Sequence, residues 1–367
     1  MAFWRMPWNR SIGPIGLDLG AESPRAMQVR RGDERPSAVV HAHVEPGADL
    51  ARRASAAAAA MRSAGFVGRD VVVGLPATVA RMHVAKLPSV GGADAREAIA
   101  WEASERNALP RESIVADAIP TGAPANPGDA KEEQLVVAAS TEMLEQALAA
   151  LMDAGFDPIA VEPRFMSIAR AISRRSRRDV DVNNVRAVLH VEQHGSCIMV
   201  LRGDRIAFCR EIPIGGESLD QAVAARLSVP IDAAAVLRAH RIAAVRGIAP
   251  AVDAVAEEAA LAATRATIDA LAGEVALCLR YYGVTFRGGQ PTRVVLSGPH
   301  GAEPRLAGII EETTRASVVA YESELPQAAL DAKLASRDFA PWLAAFGLAC
   351  RAPEARASAP RAERNAA

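Results

Sequence analysis

Residues 14–31 read PIGLDLGAESPRAMQVRR, and this stretch decides the fold. Ile15 and Leu17 alternate with small or charged residues, which is the pattern of a half-buried strand. Gly20 begins a turn, and Pro24 is unsuited to the middle of a paired strand. The stretch therefore predicts a β-hairpin made of a strand, a tight turn and a second strand.

The turn of this hairpin carries residues suited to a metal ion and a phosphate. Asp18 can hold a magnesium ion through its water ligands, because Mg²⁺ uses few carboxylates and keeps much of its hydration shell. Gly20 lets the backbone approach a phosphate with no Cβ in the way. The same residues are also typical of a charged turn at the edge of a sheet, which binds no ligand.

Two more glycine-rich turns follow predicted strands. Residues 215–220, GGESLD, place two glycines at a helix start, where backbone N–H groups bind anions. Residues 296–312, LSGPHGAEPRLAGIIEE, again give a strand, a glycine-rich turn and a helix. Three such junctions around one cleft predict a nucleotide-binding site.

The chain divides into two similar halves. Each half begins with a predicted hairpin and a third strand and then continues with helices and strands, so we predict an α/β fold with two duplicated lobes around a cleft. A strand–helix–loop–strand–helix order predicts a small subdomain inserted in the first lobe. The predicted parts are an N-terminal arm (1–13), a first lobe (14–79 and 156–184), the inserted subdomain (80–155), a second lobe (185–351) and a disordered tail (352–367).

Composition excludes several classes of protein. The 367 residues include 42 Lys and Arg and 43 Asp and Glu, and a net charge of −1 excludes a general nucleic-acid-binding surface. The sequence has no apolar run long enough to predict a membrane-spanning segment. Its four cysteines are scattered and predict free thiols. A metal site at His190, His194 and Cys197 is disfavoured, because His190 and Cys197 are expected on opposite faces of a strand and a fourth ligand is missing.

A family resemblance rests on motifs in a fixed order. They are IGLDLGAESPRAMQV, VVVGLPATVARMHVAKLP followed by WEASERNALP, LVVAASTEMLEQALAALMDAGFDPIAVEP, IAFCREIPIGGESLDQAV, EVALCLRYY, VVLSGPHGAEPRLAGI and FGLAC. Over about residues 14–351 the chain resembles PilM, the family of type IV pilus assembly proteins related to FtsA. The resemblance implies an actin-like, ribonuclease H-like body of two duplicated lobes, with the FtsA-type small subdomain at 80–155.

The resemblance also implies ligands. In the PilM family the body binds ATP and docks the cytoplasmic tail of the inner-membrane protein PilN in a groove near the small subdomain. For this chain we therefore expect ATP and magnesium, with Asp18 as the metal residue. The expected cofactor-binding residues are Asp18, Gly20, Glu22, Ser23, Arg25, Gly215, Gly216, Glu217, Gly298 and Gly301.

Three departures from the family pattern predict a degenerate nucleotide site. The second lobe should open with another Asp-x-Gly hairpin, but His190 and Glu192 stand at those positions. In the third motif, Pro299 fixes φ and His300 adds a ring where the backbone should approach the adenosine. Arg25 replaces the usual lysine. We expect weak or lost binding of ATP and magnesium, and little or no hydrolysis.

A scaffold role follows from these expectations. The predicted partner is the cytoplasmic tail of a PilN-like inner-membrane protein, paired with an exposed strand edge along 78–88. Met82, Val84 and Leu87 are the candidate contacts, although their alternation equally fits a half-buried core. We further expect a cytoplasmic location, peripheral at the inner membrane through partners. The sequence also leaves open whether other pilus assembly proteins are partners and whether the chain associates with itself.

The alternative is an enzyme: an active actin-fold ATPase or a small-molecule kinase. A kinase needs a carboxylate base near the acceptor hydroxyl and a closed phosphate cradle. Asp18 is the one acid placed for such chemistry, and it is required for magnesium. The missing second aspartate therefore disfavours the enzyme.

Overall fold

The computed structural model describes residues 12–20, 23–32, 35–45, 47–88, 93–121, 131–174, 185–285, 289–321 and 339–351. The strands are β1 (Ile12–Asp18), β2 (Arg25–Arg30), β3 (Pro36–His41), β4 (Asp70–Leu75), β5 (Arg81–Pro88), β6 (Ile114–Pro120), β7 (Lys131–Ser140), β8 (Asp157–Pro163), β9 (Val185–Val191), β10 (Ser196–Arg202), β11 (Arg205–Ile212), β12 (Arg293–Ser297) and β13 (Ser317–Ala320). The helices are α1 (Leu50–Ser63), α2 (Ala93–Asn107), α3 (Thr141–Asp153), α4 (Arg164–Ser173), α5 (Gly216–Leu227), α6 (Ile231–Val245), α7 (Ala254–Thr285), α8 (Leu306–Thr314) and α9 (Leu343–Ala349). Residues 1–11 of the predicted arm and the predicted tail at 352–367 lie outside the described residues.

Two five-stranded sheets share one topology. The first has the order β3-β2-β1-β4-β8 and the second the order β11-β10-β9-β12-β13. In each sheet the three strands that come first along the chain pair antiparallel to one another. The two later strands pair parallel to the first strand and to each other. The hairpin predicted at 14–31 is β1–β2, with Asp18 opposite Arg25. The duplicated α/β lobes are confirmed.

A shared apolar layer joins the two lobes. Helices α4 and α9 contribute Phe165, Ile168 and Phe346 to a core that also contains Met27 of the first sheet and Met199 of the second. Each lobe has a further core on the outer face of its own sheet, formed with α1 and α3 in the first lobe and with α5, α7 and α8 in the second. The cleft between the lobes therefore has a continuous apolar floor.

Two predicted boundaries are corrected. Helix α3, placed by sequence in the inserted subdomain, belongs to the first lobe, because Ala147 and Leu151 are buried in the first-lobe core. Helix α9, placed in the second lobe, packs against β1 and α4 of the first lobe. The inserted subdomain is the sheet β5-β7-β6 with α2, whose own core includes Leu87 and Ala103. Strands β6 and β13 had no counterpart in the sequence prediction.

The packing of α9 gives a first prediction. A Cβ on Gly347 would overlap the Ser167 backbone carbonyl of α4, whereas a Cβ on Gly308 of α8 meets nothing. We expect Gly347→Ala to lower the free energy of unfolding by about 1–3 kcal/mol because the core is overpacked. Gly308→Ala, the matched control, should raise it by about 0.5–1 kcal/mol through helix propensity. Urea unfolding of both variants measures the difference, and equal effects would contradict this packing.

The described helices include none that is long and apolar enough to cross a membrane.

Candidate functional site

Asp18 lies where the first predicted motif placed it, at the end of β1 and facing the cleft. It is 3% exposed. Its Oδ1 accepts a hydrogen bond from Nε of Arg164 at 2.8 Å, and Nη2 of the same guanidinium lies 2.8 Å from that oxygen in an ion pair. The carboxylate is therefore already paired with a cation of the same chain.

Arg164 connects the two lobes. It is the first residue of α4, directly after Pro163, and its Nη1 donates to the Glu192 carboxylate of the second lobe. A helix N-terminus ordinarily favours acidic residues, so a cation there is held by its carboxylate partners rather than by the helix dipole. We call this arrangement the Asp18–Arg164–Glu192 bridge.

The bridge continues into the second lobe. Nε2 of His190 lies 3.1 Å from Glu192 Oε1, and its Nδ1 lies 3.0 Å from Ser297 Oγ. His190 and Ser297 are both 3% exposed. His190 and Glu192 thus form one buried polar network with Arg164.

Burial and charge act in opposite directions within the bridge. Burial raises the pKa of Asp18, and the Arg164 guanidinium opposes that shift. For Glu192, burial is outweighed by Arg164 and by the contact with His190, which hold its pKa well below the usual range. The two carboxylates in turn raise the pKa of Arg164 despite its burial. Glu192 is therefore ionised at neutral pH and forms an ion pair with Arg164.

The glycines at the start of α5 serve internal packing. The Gly216 and Glu217 N–H groups donate to the Glu192 and Gln193 carbonyl oxygens, both at 2.8 Å. A Cβ on Gly215 would come within 2.5 Å of the Glu192 carbonyl oxygen. These glycines allow the β9–β10 hairpin to lie directly on the helix start, and two of the amides expected to face an anion are used in that contact.

The third glycine-rich turn, at residues 298–301, is also occupied by contacts within the protein. Gly298 has a φ of +93°, and a Cβ there would overlap the Val191 carbonyl oxygen. Gly301 N–H donates to the Gly298 carbonyl at 3.1 Å, and Arg246 donates to the same carbonyl at 3.1 Å. Burial lowers the pKa of His300 to about 3, so its ring is neutral. The turn packs against the end of β9.

A buried ion cluster lies behind these turns. Arg238 of α6 donates to Asp220 of α5 at 2.5 Å, to the Gly216 carbonyl at 2.8 Å and to Glu303, in the turn before α8, at 2.8 Å. Arg238 is 1% exposed. Arg241 reaches the same Glu303 at 3.1 Å. We call this the Arg238 cluster, and it holds α6 to the two glycine turns.

The remaining predicted residues of the first hairpin lie close by. Gly20 is next to Arg164, whose Nη2 would lie 2.5 Å from a Cβ at that position. Ser23 Oγ donates to the Ala42 carbonyl at 3.2 Å, and Arg25 Nη1 donates to the Ser23 carbonyl at 3.2 Å. Glu22 lies outside the described residues. A cavity of about 80 Å³, the Asp18 cavity, is lined by Asp18, Gly20, Ser23, Arg25, Arg164, His190, Glu192, Gln193, His194, Pro299, Ala340, Pro341 and Ala344.

One expectation about a metal site is corrected. His190 and Cys197 are direct neighbours across β9 and β10, so they lie on the same face of the sheet and not on opposite faces. Within the described ranges, no group of three or more His, Cys, Asp or Glu side chains is arranged to hold a metal ion. All four cysteines are free thiols, as predicted.

The fold agrees with comparisons to known proteins. A model of the family described as type IV pilus assembly protein PilM matches residues 48–353. The chain belongs to the PilM family. A comparison with curated proteins finds no match.

Two solved structures resemble this PilM-family chain. In a PilM–PilN type IV pilus biogenesis complex, the matching chain is 19% identical with a TM-score of 0.74, and the match covers 92% of this chain and 98% of that one. The ethanolamine utilization protein EutJ from Carboxydothermus hydrogenoformans is 13% identical with a TM-score of 0.52, covering 95% and 91%. The actin-like fold predicted from the sequence is confirmed.

Sequence reasoning missed Arg164 in this PilM-family protein. The only local signal is an arginine directly after Pro163, at a junction between a predicted strand and helix that points toward the cleft. A cation in the first helical turn is unfavourable unless acidic side chains face it. An arginine at this position therefore indicates acidic partners from elsewhere in the fold. Those acids lie 146 and 28 residues away along the chain.

The predicted partner strand lies at an edge of the inserted sheet. Among the described strands, β5 pairs only with β7. Val84 is 39% exposed, whereas Leu87 is 6% exposed and packs in the subdomain core. Met82 is half-buried against the layer between the lobes. Leu87 is therefore corrected from a contact residue to a core residue, and Val84 has the accessible side chain.

Proposed function

We propose that this PilM-family protein is a non-hydrolysing scaffold of type IV pilus assembly. It acts at the cytoplasmic face of the inner membrane and docks the cytoplasmic tail of a PilN-like partner. Its nucleotide cleft is degenerate. The single observation that carries the proposal is the Asp18–Arg164–Glu192 bridge, because it places the chain's own cation beside the residue expected to serve magnesium.

The residues in the cleft do not fit Mg-ATP. The Arg164 guanidinium pairs with Asp18, and Glu192 brings a negative charge to the hairpin expected to face the phosphates. The cavity directly beside Asp18 has a volume of only about 80 Å³. No catalytic step is therefore assigned to ATP or magnesium.

Equilibrium unfolding at 1 mM Mg-ATP tests the degenerate cleft. With a Kd of 1 mM or weaker, the nucleotide stabilises the protein by at most about 0.4 kcal/mol. We expect a change in that range and no release of inorganic phosphate above the buffer rate. A gain near 4 kcal/mol, which corresponds to micromolar binding, would contradict the proposal.

The docking surface is the free edge of β5. An extended tail can add a strand there, so that main-chain hydrogen bonds give affinity and neighbouring side chains give specificity. Val84 lies exposed on this strand, and Arg81 and Lys86 are also exposed. The PilM–PilN complex among the similar structures supports a PilN-like tail as the occupant.

Val84→Asp tests the docking surface. We expect it to weaken binding of a synthetic peptide of the PilN cytoplasmic tail, taken from the same genome, by about tenfold or more, because it places a charge at the contact centre. Val67→Asp is the matched control, because Val67 is 43% exposed on a loop remote from β5. Fluorescence anisotropy measures both variants. Equal affinities for Val84→Asp and Val67→Asp would exclude this edge.

A further inference from the structure

A second and larger cavity lies between the lobes. It has a volume of about 400 Å³ and shares Arg164 and Glu192 with the Asp18 cavity, so the bridge separates the two spaces. Its walls are mainly apolar, with Phe165 and Ile168 of α4 on one side and Ile212 of β11 on the other. We call it the interlobe chamber. Its volume is within the range of built binding pockets, roughly 300–1,000 Å³.

Glu211 gives this chamber a chemical preference. It lies on β11 directly opposite Cys197 of β10, and both residues line the chamber. Across the described part of the chain, the Glu211 carboxyl has no hydrogen bond or ion pair. Its neighbour Arg210 instead pairs with Glu274 at 3.4 Å. A carboxyl in such an apolar space lacks the cation that would compensate its burial.

The surroundings of Glu211 supply no such cation. The titratable groups that face the chamber are Arg164 from α4, His190 and Glu192 from the end of β9, His194 from the hairpin and Cys197 from β10. Arg164 is committed to Asp18 and Glu192, and His194 lies 2.9 Å from Glu217. Burial, with the added charge of Glu192, raises the pKa of Glu211 to about 7.

The chamber opens where β5 begins. Thr78 and Ala80 line it, and Arg81 is the first residue of β5. A segment extended along the β5 edge therefore reaches the chamber with its end. This continuity favours a peptide over a free small molecule as the occupant.

We infer that the interlobe chamber receives a lysine or arginine side chain flanked by an aliphatic residue, carried by the tail that docks along β5, with Glu211 as its specificity-determining partner. This inference rests on the proposed docking function. The aliphatic stem of a basic side chain packs against the apolar walls while its charged end reaches Glu211. The ion pair forms where water is excluded, so replacing one partner is costly.

A double-mutant cycle tests the inference. Each Lys and Arg of the PilN tail peptide is replaced in turn by Gln, and binding to the wild-type protein and to Glu211→Gln is measured at pH 8. We expect one basic residue whose loss weakens wild-type binding by about tenfold or more but Glu211→Gln binding by less than about twofold. Glu274→Gln, at a glutamate that pairs with Arg210 and does not line the chamber, is the control and should behave like wild type.

Two further measurements use other properties of the chamber. Because only ionised Glu211 attracts the cation and its pKa is about 7, wild-type affinity should rise about tenfold from pH 6 to pH 8. That rise should vanish in Glu211→Gln. Thr78→Trp adds an indole at the exposed mouth of the chamber and should weaken binding while circular dichroism remains unchanged.

The outcomes separate this inference from the proposed function. If the tail binds at the β5 edge but none of its basic residues couples to Glu211, the inference is overturned and the docking function stands. If the tail does not bind at all, both are overturned. Coupling of one basic residue together with the pH dependence supports both.

Discussion

Replacing Arg238 with alanine is expected to lower the free energy of unfolding by about 3–5 kcal/mol, because it leaves the buried Asp220 carboxylate without its cation. Arg238 contacts Asp220 at 2.5 Å and Glu303 at 2.8 Å, and its side chain is 1% exposed. Glu303 retains Arg241, but Asp220 retains only the Gln193 amide as a side-chain partner among the described residues. Urea unfolding measures the loss.

Arg265→Ala is the matched control for Arg238→Ala. Arg265 pairs with Asp269 one helical turn away at 2.9 Å, and this pair is exposed to solvent. Its removal should leave the unfolding midpoint within experimental error, because exposed pairs are screened by water and salt. Similar losses for the two variants would mean that water reaches the Arg238 cluster.

Replacing Arg164 with alanine is expected to cost about 3–5 kcal/mol of stability at pH 7.5, since Asp18 and Glu192 then lose the cation between them and Glu192 keeps its contact with His190. Part of this loss should be recovered in Arg164→Ala/Glu192→Gln, in which one of the two charges is removed. Arg52→Ala, at an arginine whose side chain is 79% exposed, is the control and should have little effect.

The pH dependence of Arg164→Ala should have the opposite sign from that of the wild-type bridge. In the wild type, the folded-state pKa of Glu192 lies below its ordinary value of 4.5. Its contribution to stability is therefore present above pH 4.5 and is lost as the pH falls below that value. Without Arg164, burial and Asp18 raise the pKa of Glu192, so stability falls as the pH rises through 4.5.

Unfolding at pH 5 and at pH 7.5 distinguishes these cases. We expect the deficit of Arg164→Ala relative to wild type to be smaller at pH 5, where the two carboxyl groups begin to share a proton. A deficit of equal size at both pH values would mean that the bridge carries no electrostatic stabilisation, and the proposed degenerate cleft would lose its support.

Local sequence signals were sufficient for most elements of the fold. The alternation of Ile15 and Leu17 and the turn at Gly20 predicted β1–β2, and the glycines at 215–216 predicted the start of α5. These signals are local because strand pairing in a hairpin and helix propensity depend on residues close in sequence. Strand β6 was missed, because its sequence, IVADAIP, contains Ala, Asp and Pro, which are uncommon in strands.

Local sequence signals did not assign helices α3 and α9 to the correct lobe. Helix α3 could pack on the inserted sheet or on the first lobe, depending on which apolar surface its buried face meets. In the structure, Leu151 is buried against α1 and the first sheet. The same holds for α9, whose Phe346 packs on α4. An amphipathic pattern predicts that a helix has a buried face, but it does not name the partner of that face.

The sequence by itself determined the duplicated lobes, the position of Asp18 at the first turn and the presence of His190 and Glu192 in the hairpin that opens the second lobe. Only the tertiary structure decided how the resulting charges are satisfied. Arg164 lies 146 residues from Asp18 and 28 from Glu192, and it is the packing of α4 between the two sheets that brings them together. No local sequence pattern shows which charges far apart along the chain will pair. A buried cleft nevertheless requires each charge to have a partner, because an unpaired buried charge is costly.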